Sequence, residues 1–466
     1  MPRRKKTPEL AAASEFPAGL APHVEDLAGA EILCGIPSFN NGRTIGNVVR
    51  AVEAGLRRAF PDVPAAIVIS DGGSEDGTVD AAMEASTAPD EEYLLIDPKS
   101  PTPKRLALQY RGISGKGSAF RTLFTVADLI GARACAVFDA DLRSVTPQWV
   151  EALVRPVLVN GHDFVAPMYA RHKYDGTITN AIAYPLTAAL YGSVVRQPIG
   201  GEFGFSGRLA AHWASKDVWE TDVARYGIDI WMTTTAIVEG FRVCQTQLGA
   251  KVHDPKDPGS HLGPMFRQVV GSLFALAGGY SDRWATVEEL TPVPTYGFRA
   301  ATTAEELKIR AGRLTWRFIE GYMKYESLWR DVLAPETLSA VVRATDEAAD
   351  KTEGFVLPAD LWAHIVYDYL VAFSAAEVDP STLLDSMIPL YFARTATFVQ
   401  EATSDDQGAA EERIGRYAEL FLDRKPYLLR RWAGAGVKRT LAEQTVPPAE
   451  AEQRTESEEI LGAQTD

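Results

Sequence analysis

The feature that most constrains this chain is a series of short apolar runs, each stopped by a turn or an acid and separated by helical periodicity. Ile32-Leu33-Cys34-Gly35-Ile36 ends at Pro37, and Ala65-Ala66-Ile67-Val68-Ile69-Ser70 ends at Asp71-Gly72-Gly73-Ser74. Tyr93-Leu94-Leu95-Ile96 is a third run, and Ala134-Cys135-Ala136-Val137-Phe138 runs into Asp139-Ala140-Asp141. Between them, Ile45, Val48, Val49 and Val52 share one helical face, and a helix is predicted over Ser118–Leu129. Strands without strict alternation, joined by helices, are the signature of a parallel sheet covered on both faces. The pattern predicts a β-α-β-α unit over about residues 30–140, continued by a mixed region with the strand Phe164-Val165-Ala166.

Beyond Thr291-Pro292-Val293-Pro294 the period changes. Leu314, Phe318, Tyr322, Tyr325 and Trp329 recur at three- and four-residue spacing, as do Leu361, Ile365, Tyr369 and Phe373. Such a stripe reads as helical core. The expected division is a flexible arm over 1–28, an α/β domain over 29–285, a helical domain over 286–436 and an acidic tail over 437–466. Leu441–Asp466 carries seven carboxylates against Arg454 alone.

Composition excludes several classes. The formal charge of -15 argues against a nucleic-acid binder that relies on bulk charge. No run of about 18 apolar residues occurs, and no signal-peptide core follows the basic start, so a cytoplasmic location without an integral membrane segment is expected. Cys34, Cys135 and Cys244 are far apart and read as buried thiols, not as a disulfide framework or a zinc site.

Three places could carry chemistry. Asp139 and Asp141 can face the same way from a strand end, where open α/β sheets hold ligands. Converging carboxylates repel unless a cation lies between them, and that cation could clamp a diphosphate. On the motif alone, a pair of capping acids fits equally well. Asp71 ends another strand, where an acid can accept from a base or ribose, although a plain turn explains it too. Gly115-Lys116-Gly117 precedes a helix, and glycines there permit close phosphate approach. Gln197-Pro198-Ile199-Gly200-Gly201-Glu202, Tyr226-Gly227-Ile228-Asp229 and Lys251-Val252-His253 add further acids and an imidazole.

In that order, with Ile36-Pro37-Ser38-Phe39-Asn40 ahead of them, these pieces resemble a GT-A glycosyltransferase of the family 2 type, within the mannosylglycerate synthase and glucosyl-3-phosphoglycerate synthase group. The resemblance covers about residues 30–265. It implies a Rossmann-like mixed sheet with helices on both faces, and a retaining enzyme that moves glucose or mannose from UDP-glucose or GDP-mannose to a small hydroxy acid such as glycerate or 3-phosphoglycerate. Pro37 and Ser38 would line the nucleoside pocket, Asp71 would bind the base, and Gly115, Lys116 and Gly117 would approach the nucleotide. Asp139 would contact the ribose or the metal, with Asp141 and His253 holding magnesium or manganese. Gly200, Gly201 and Glu202 would frame the donor sugar and the acceptor, with Asp229 near the sugar hydroxyls. Lys251 stands where a phosphoglycerate-using relative is expected to carry arginine. A lipid-phosphate or polysaccharide acceptor, and a non-catalytic nucleotide-sugar-binding protein, are the alternative readings. The helical region is left to homodimer formation or to covering the acceptor side.

Overall fold

The computed structural model describes residues 24–85, 100–110, 112–252, 258–298, 307, 309–351 and 354–437. The expected strand at Tyr93-Leu94-Leu95-Ile96, His253 and the acidic tail beyond residue 437 lie outside the described residues. The strands are β1 (Ile32–Ser38), β2 (Ala65–Asp71), β3 (Lys104–Gln109), β4 (Ala134–Val137), β5 (Phe164–Ala170), β6 (Ser193–Val194), β7 (Phe203–Ser206), β8 (Val243–Ala250), β9 (Thr291–Pro292) and β10 (Thr295–Tyr296). Eight of them form one sheet in the order β10-β8-β5-β7-β4-β1-β2-β3, while β6 pairs with β9.

All neighbours in the large sheet are parallel except β7, which runs antiparallel to both β4 and β5. The period-2 geometry of a strand divides the apolar residues between two faces. Ile32, Cys34, Ile36, Ile67, Ile69, Ala134 and Ala136 belong to one core, beneath the helices α1 (Ile45–Ala59) and α4 (Pro147–Leu158). Leu33, Ala66, Val68, Cys135 and Val137 belong to the other, beneath α3 (Lys116–Ile130). This is the mixed, doubly covered sheet with a following helical region that the sequence predicts.

The strand at Lys104–Gln109 is absent from the sequence reading. It is the sheet edge, and only Leu108 along it is buried. Charged residues on an edge strand discourage pairing with other chains, and they also erase the apolar signature. Cys34, Cys135 and Cys244 are buried free thiols, as expected.

The second core does not stop at the sheet. It continues through α8 (Pro258–Gly279), α10 (Ala311–Val332), α12 (Ala359–Ala375), α13 (Pro380–Glu401) and α14 (Gln407–Gly434), taking in Phe274, Phe318, Trp329, Trp362, Met387 and Leu428. The aromatic residues at helical spacing are thus core. Val24 and Leu27, at the end of the expected arm, are buried in it as well.

Pro389 interrupts the backbone bonding of α13, and its ring is received by Gly321 of α10. A Cβ at Gly321 would lie 2.1 Å from Pro389 Cβ. Gly321→Ala gains ~1 kcal/mol of helix propensity but overpacks the contact at a cost of ~1–3 kcal/mol. Overpacking wins because neither backbone can move away from its own core. Urea unfolding of G321A is expected to show a lower midpoint at unchanged slope, and a raised midpoint would show that the two helices separate freely.

Candidate active site

Because β7 runs against its neighbours, its start lies beside the end of β4, with Phe203 opposite Val137. The Gly200-Gly201-Glu202 turn that precedes β7 is therefore delivered next to Asp139, which follows β4. β8 runs parallel to β5, with Ala250 opposite Ala170, so Lys251 emerges at the same edge. Lys116 opens α3, and Asp229 lies in the first turn of α7 (Ile228–Val238). Five charged side chains from five separate segments meet there.

Lys251 Nζ donates to Glu202 at 2.8 and 3.0 Å, to Asp139 Oδ2 at 3.1 Å and to the Gly200 carbonyl at 3.0 Å. Lys116 Nζ lies 2.8 Å from Asp139 Oδ1. It also lies 3.3 Å from Asp229 Oδ1 and 3.4 Å from Oδ2, with hydrogen-bond geometry only to Oδ2. Asp229 Oδ1 is buried and accepts no hydrogen bond among the described residues. The Tyr169 hydroxyl donates to Glu202, and its ring lies 5.3 Å from Lys251 Nζ.

The protonation pattern follows from burial and pairing. Burial opposes the Asp139 carboxylate, but Lys116 and Lys251 overcome it and hold its pKa well below the usual carboxylate range. Burial likewise opposes the Lys116 ammonium, and Asp139 with Asp229 reverses this and raises its pKa. Glu202 has no exposed surface. Burial pushes its carboxyl up to about 7 against the pull of Lys251, and the neighbouring Asp139 charge adds to the rise. Burial also raises Asp229, against Lys116.

Space around the cluster is tight. Gly201 has φ +97°, and a Cβ there would lie 2.6 Å from Asp139 Oδ2 and 2.8 Å from Lys251 Nζ. At Gly200 a Cβ would lie 2.1 Å from Pro167 Cγ. The other glycines serve a different purpose. Cβ atoms at Gly115 and Gly117 would lie 2.6 Å from the Ala224 carbonyl and 1.8 Å from the Val223 carbonyl, so the chain's own 222–225 turn requires their smallness.

Of the expected nucleoside-pocket residues, Ser38 and Asp71 meet directly. Asp71 Oδ1 accepts from Ser38 Oγ at 2.8 Å and Ser74 Oγ at 2.7 Å, and Oδ2 accepts from the Gly73 and Ser74 amides at 2.8 and 2.7 Å. Both oxygens thus organise the loops after β1 and β2. Half-buried Pro37 lies beside them in β1. Phe39, Tyr110 and Tyr169 carry the site without any sequence signal that singles them out. Phe39 is 56% exposed and borders Gly72 together with the Tyr110 hydroxyl. That hydroxyl accepts from the Gly115 amide at 3.2 Å, which ties the Gly-Lys-Gly turn to the edge strand.

The expected metal ligands are not assembled as a protein cage. Each oxygen of Asp139 faces an ammonium, Asp141 is half-buried beyond the turn, and His253 lies outside the described residues. Among the described residues, no three His, Cys, Asp or Glu side chains are placed to hold a metal ion. Val252 is nonetheless held against the Asp141 loop, its amide donating to Ser144 Oγ and its carbonyl accepting from the Arg143 amide, each at 2.9 Å. A magnesium-type ion takes only one or two carboxylates and draws its remaining oxygens from substrate phosphate and water, so Asp141 could hold one without a full protein cage.

No family model matches the chain, and no curated protein matches it. Solved structures do. Glucosyl-3-phosphoglycerate synthase from Mycobacterium tuberculosis, in complex with Mn2+, UDP and phosphoglyceric acid, is 24% identical over 55% of this chain and 82% of that one, with a TM-score of 0.40. The same synthase with Mn2+, UDP-glucose and phosphoglyceric acid is 23% identical over 57% and 86%, with a TM-score of 0.39. A further mycobacterial protein is 24% identical over 55% and 77%, with a TM-score of 0.40. Likeness at that TM-score transfers neither fold nor activity, and the strand order and site geometry of this chain stand on their own.

The raised Glu202 pKa has a definite sign. Between the ordinary carboxyl value of 4.5 and about 7, the folded chain keeps a proton that the unfolded chain releases, so stability falls as pH rises through that window. Asp229, also raised, adds to the same trend. Asp139 acts oppositely, and its contribution is lost only as pH falls below the ordinary Asp range. Glu202→Gln is expected to flatten the decline between pH 4.5 and 7 in urea titrations run across that range. An unchanged slope would show that Glu202 is ionised throughout.

Proposed function

We propose that the chain is a metal-assisted, retaining glycosyltransferase that moves a hexose from a nucleoside diphosphate sugar to a small hydroxy acid such as glycerate or 3-phosphoglycerate. The observation that carries this reading is the cluster of Lys116, Lys251, Asp139, Glu202 and Asp229 at the carboxyl edge of a mixed sheet, with the Asp141 turn beside it. Open α/β sheets bind ligands at that edge.

The residues divide the work. Lys116 and Lys251 bring two ammonium donors to where a diphosphate would lie, and because Asp139, Glu202 and Asp229 already balance them, a bound cation would supply the net positive charge that a departing phosphate needs. The glycine at 201 lets a sugar approach Asp139 and Lys251 without a side chain between. Asp229 Oδ1 offers an acceptor for a sugar hydroxyl. Phe39, beside the Ser38–Asp71 loops, offers an exposed ring for stacking on the base. A magnesium or manganese ion, held by Asp141 with the diphosphate oxygens and joined by His253 in the motif resemblance, would supply further positive charge to the leaving group.

Glu202 is sealed beneath Lys251 and Tyr169, so it positions the lysine and does not reach a sugar carbon. Asp229 is bound to Lys116. With no carboxylate among the described residues placed as a nucleophile, the fitting route is front-face attack, in which the acceptor hydroxyl gives its proton to the departing phosphate. The donor is a uridine or guanosine diphosphate hexose. Among the described residues no helix is long and apolar enough to cross a membrane.

Thermal-shift measurements with UDP-glucose and GDP-mannose, each with and without magnesium or manganese, should raise the melting temperature only when nucleotide and metal are both present. Asp141→Asn should abolish that joint shift and lower transfer to glycerate or 3-phosphoglycerate by about 100-fold or more, in line with loss of one charge-stabilising group. Full transfer by D141N in excess EDTA would sink the metal-assisted reading.

A further inference from the structure

Beside Tyr169, β5 runs on into Arg171-His172-Lys173 and borders a pocket with Thr179, Asn180, Arg196 and Gln197. The far wall is the start of α14, where Gln407, Ala410 and Glu411 line it. Three ties hold that wall in place. Lys173 Nζ donates to the carbonyls of Ala402, Thr403 and Asp405 at 2.6, 3.2 and 2.8 Å. The Gln407 amide donates to the Arg171 carbonyl. Arg196 donates from Nε and Nη2 to the two Glu411 oxygens at 2.5 and 3.0 Å.

Arg196 is 9% exposed, and Nη2 also donates to Asn180 Oδ1 at 2.9 Å. Its Nη1 is buried and has no hydrogen-bond partner among the described residues. The same holds for Arg171 Nε and for Gln197 Oε1. Three pocket residues thus each leave one buried polar atom unused: two guanidinium donors and one amide acceptor. Buried guanidinium nitrogens without partners are costly, and a planar fork suits an oxyanion. The complement of two such donors and one acceptor is an oxyanion that also carries a hydroxyl.

We infer that Glu411, supplied by the C-terminal helical region, is a specificity-determining residue that weakens phosphate relative to carboxylate in this pocket. The Glu411 carboxylate shares Arg196 with whatever anion occupies Nη1. It therefore repels that anion across a single guanidinium, and a dianionic phosphate feels roughly twice the repulsion felt by a carboxylate. Such a built-in like charge is a means of rejecting the wrong ligand, not of tightening the right one. Arg171 is itself paired with Asp175 at 3.4 Å, and with Arg196 and Lys173 it still leaves the pocket positive enough for an anion. The use of the pocket as an acceptor site rests on the transferase reading, whereas the anion selectivity does not.

The test is binding of glycerate and of inorganic phosphate, each followed by calorimetry without donor or metal, to the full chain and to E411Q and R196M. E411Q should tighten phosphate about tenfold while changing glycerate less than about threefold, a difference of the size that removing one nearby charge produces. R196M should lose both anions, which would place them in this pocket. An unchanged phosphate-to-glycerate ratio in E411Q or undiminished binding in R196M would each overturn the inference. Because no sugar is transferred in these measurements, failure of the transferase reading leaves their outcome readable. Conversely, sugar transfer with an unchanged ratio would defeat the selectivity alone.

Discussion

The structure turns on a charge balance struck where little water reaches, from Glu202 with no exposed surface to Asp139 with 22% of its side chain exposed. Three carboxylates and two ammonium groups meet at the edge of the sheet, and an unpaired ion there would be severely penalised. Lys251 resolves most of it, with Glu202, Asp139 and the Gly200 carbonyl as its partners. Lys116 resolves the remainder by bridging Asp139 and Asp229. The groups arrive from strands far apart in sequence, so the balance forms only when the whole sheet has formed. This explains why one reversed strand matters. Were β7 parallel, its leading turn would lie at the opposite edge, and Glu202 could not meet Lys251.

The same balance creates reactive potential. Lysines tied to carboxylates are held in place ahead of any substrate, so their charge needs no reorganisation when a phosphate arrives. The arrangement is also incomplete by itself. Asp229 Oδ1 accepts nothing, and a glycine takes the position from which any side chain would press on Asp139 and Lys251. A buried oxygen held only by an ion pair still has lone pairs to offer a ligand or a water.

Much of this could be read from the chain alone, for identifiable reasons. Ala134–Asp141 announces a buried strand and an acid pair, because apolar runs and strand-end carboxylates are local properties. Glu202, Asp229 and Lys251 stand out only by their place in an ordered set of motifs, since nothing local says that they meet. Gly115 and Gly117 show the limit of such reading. Their sequence suggests phosphate approach, yet the carbonyls of Val223 and Ala224 already require their smallness. Asp71 shows it too, because four hydrogen bonds to the surrounding loops could not be deduced from a strand-end acid. The edge strand at Lys104–Gln109 is polar because it is an edge, and Tyr169 is one aromatic among many until its hydroxyl is seen on Glu202.

The helical region is where sequence says least and packing says most. Its aromatic spacing predicts helices but not what they rest upon. In the fold they share one apolar core with the sheet, and a smaller cluster joins Tyr184 and Ala188 to Phe398, Ala402, Ile414 and Ala418. The segment after β5 has no neighbouring strand to support it beyond Ala170. Lys173 anchors that segment to the carbonyls at the end of α13, and the Thr177 hydroxyl meets that of Tyr391 on the same helix. A loop held only by its own backbone would leave Arg171 free to sample many rotamers, and fixing it on binding would cost entropy. Docking the loop on a helix that is itself fixed by a core transfers that ordering to folding. The sheet can then supply the charged centre while the helices supply the shape and charge of the pocket beside it.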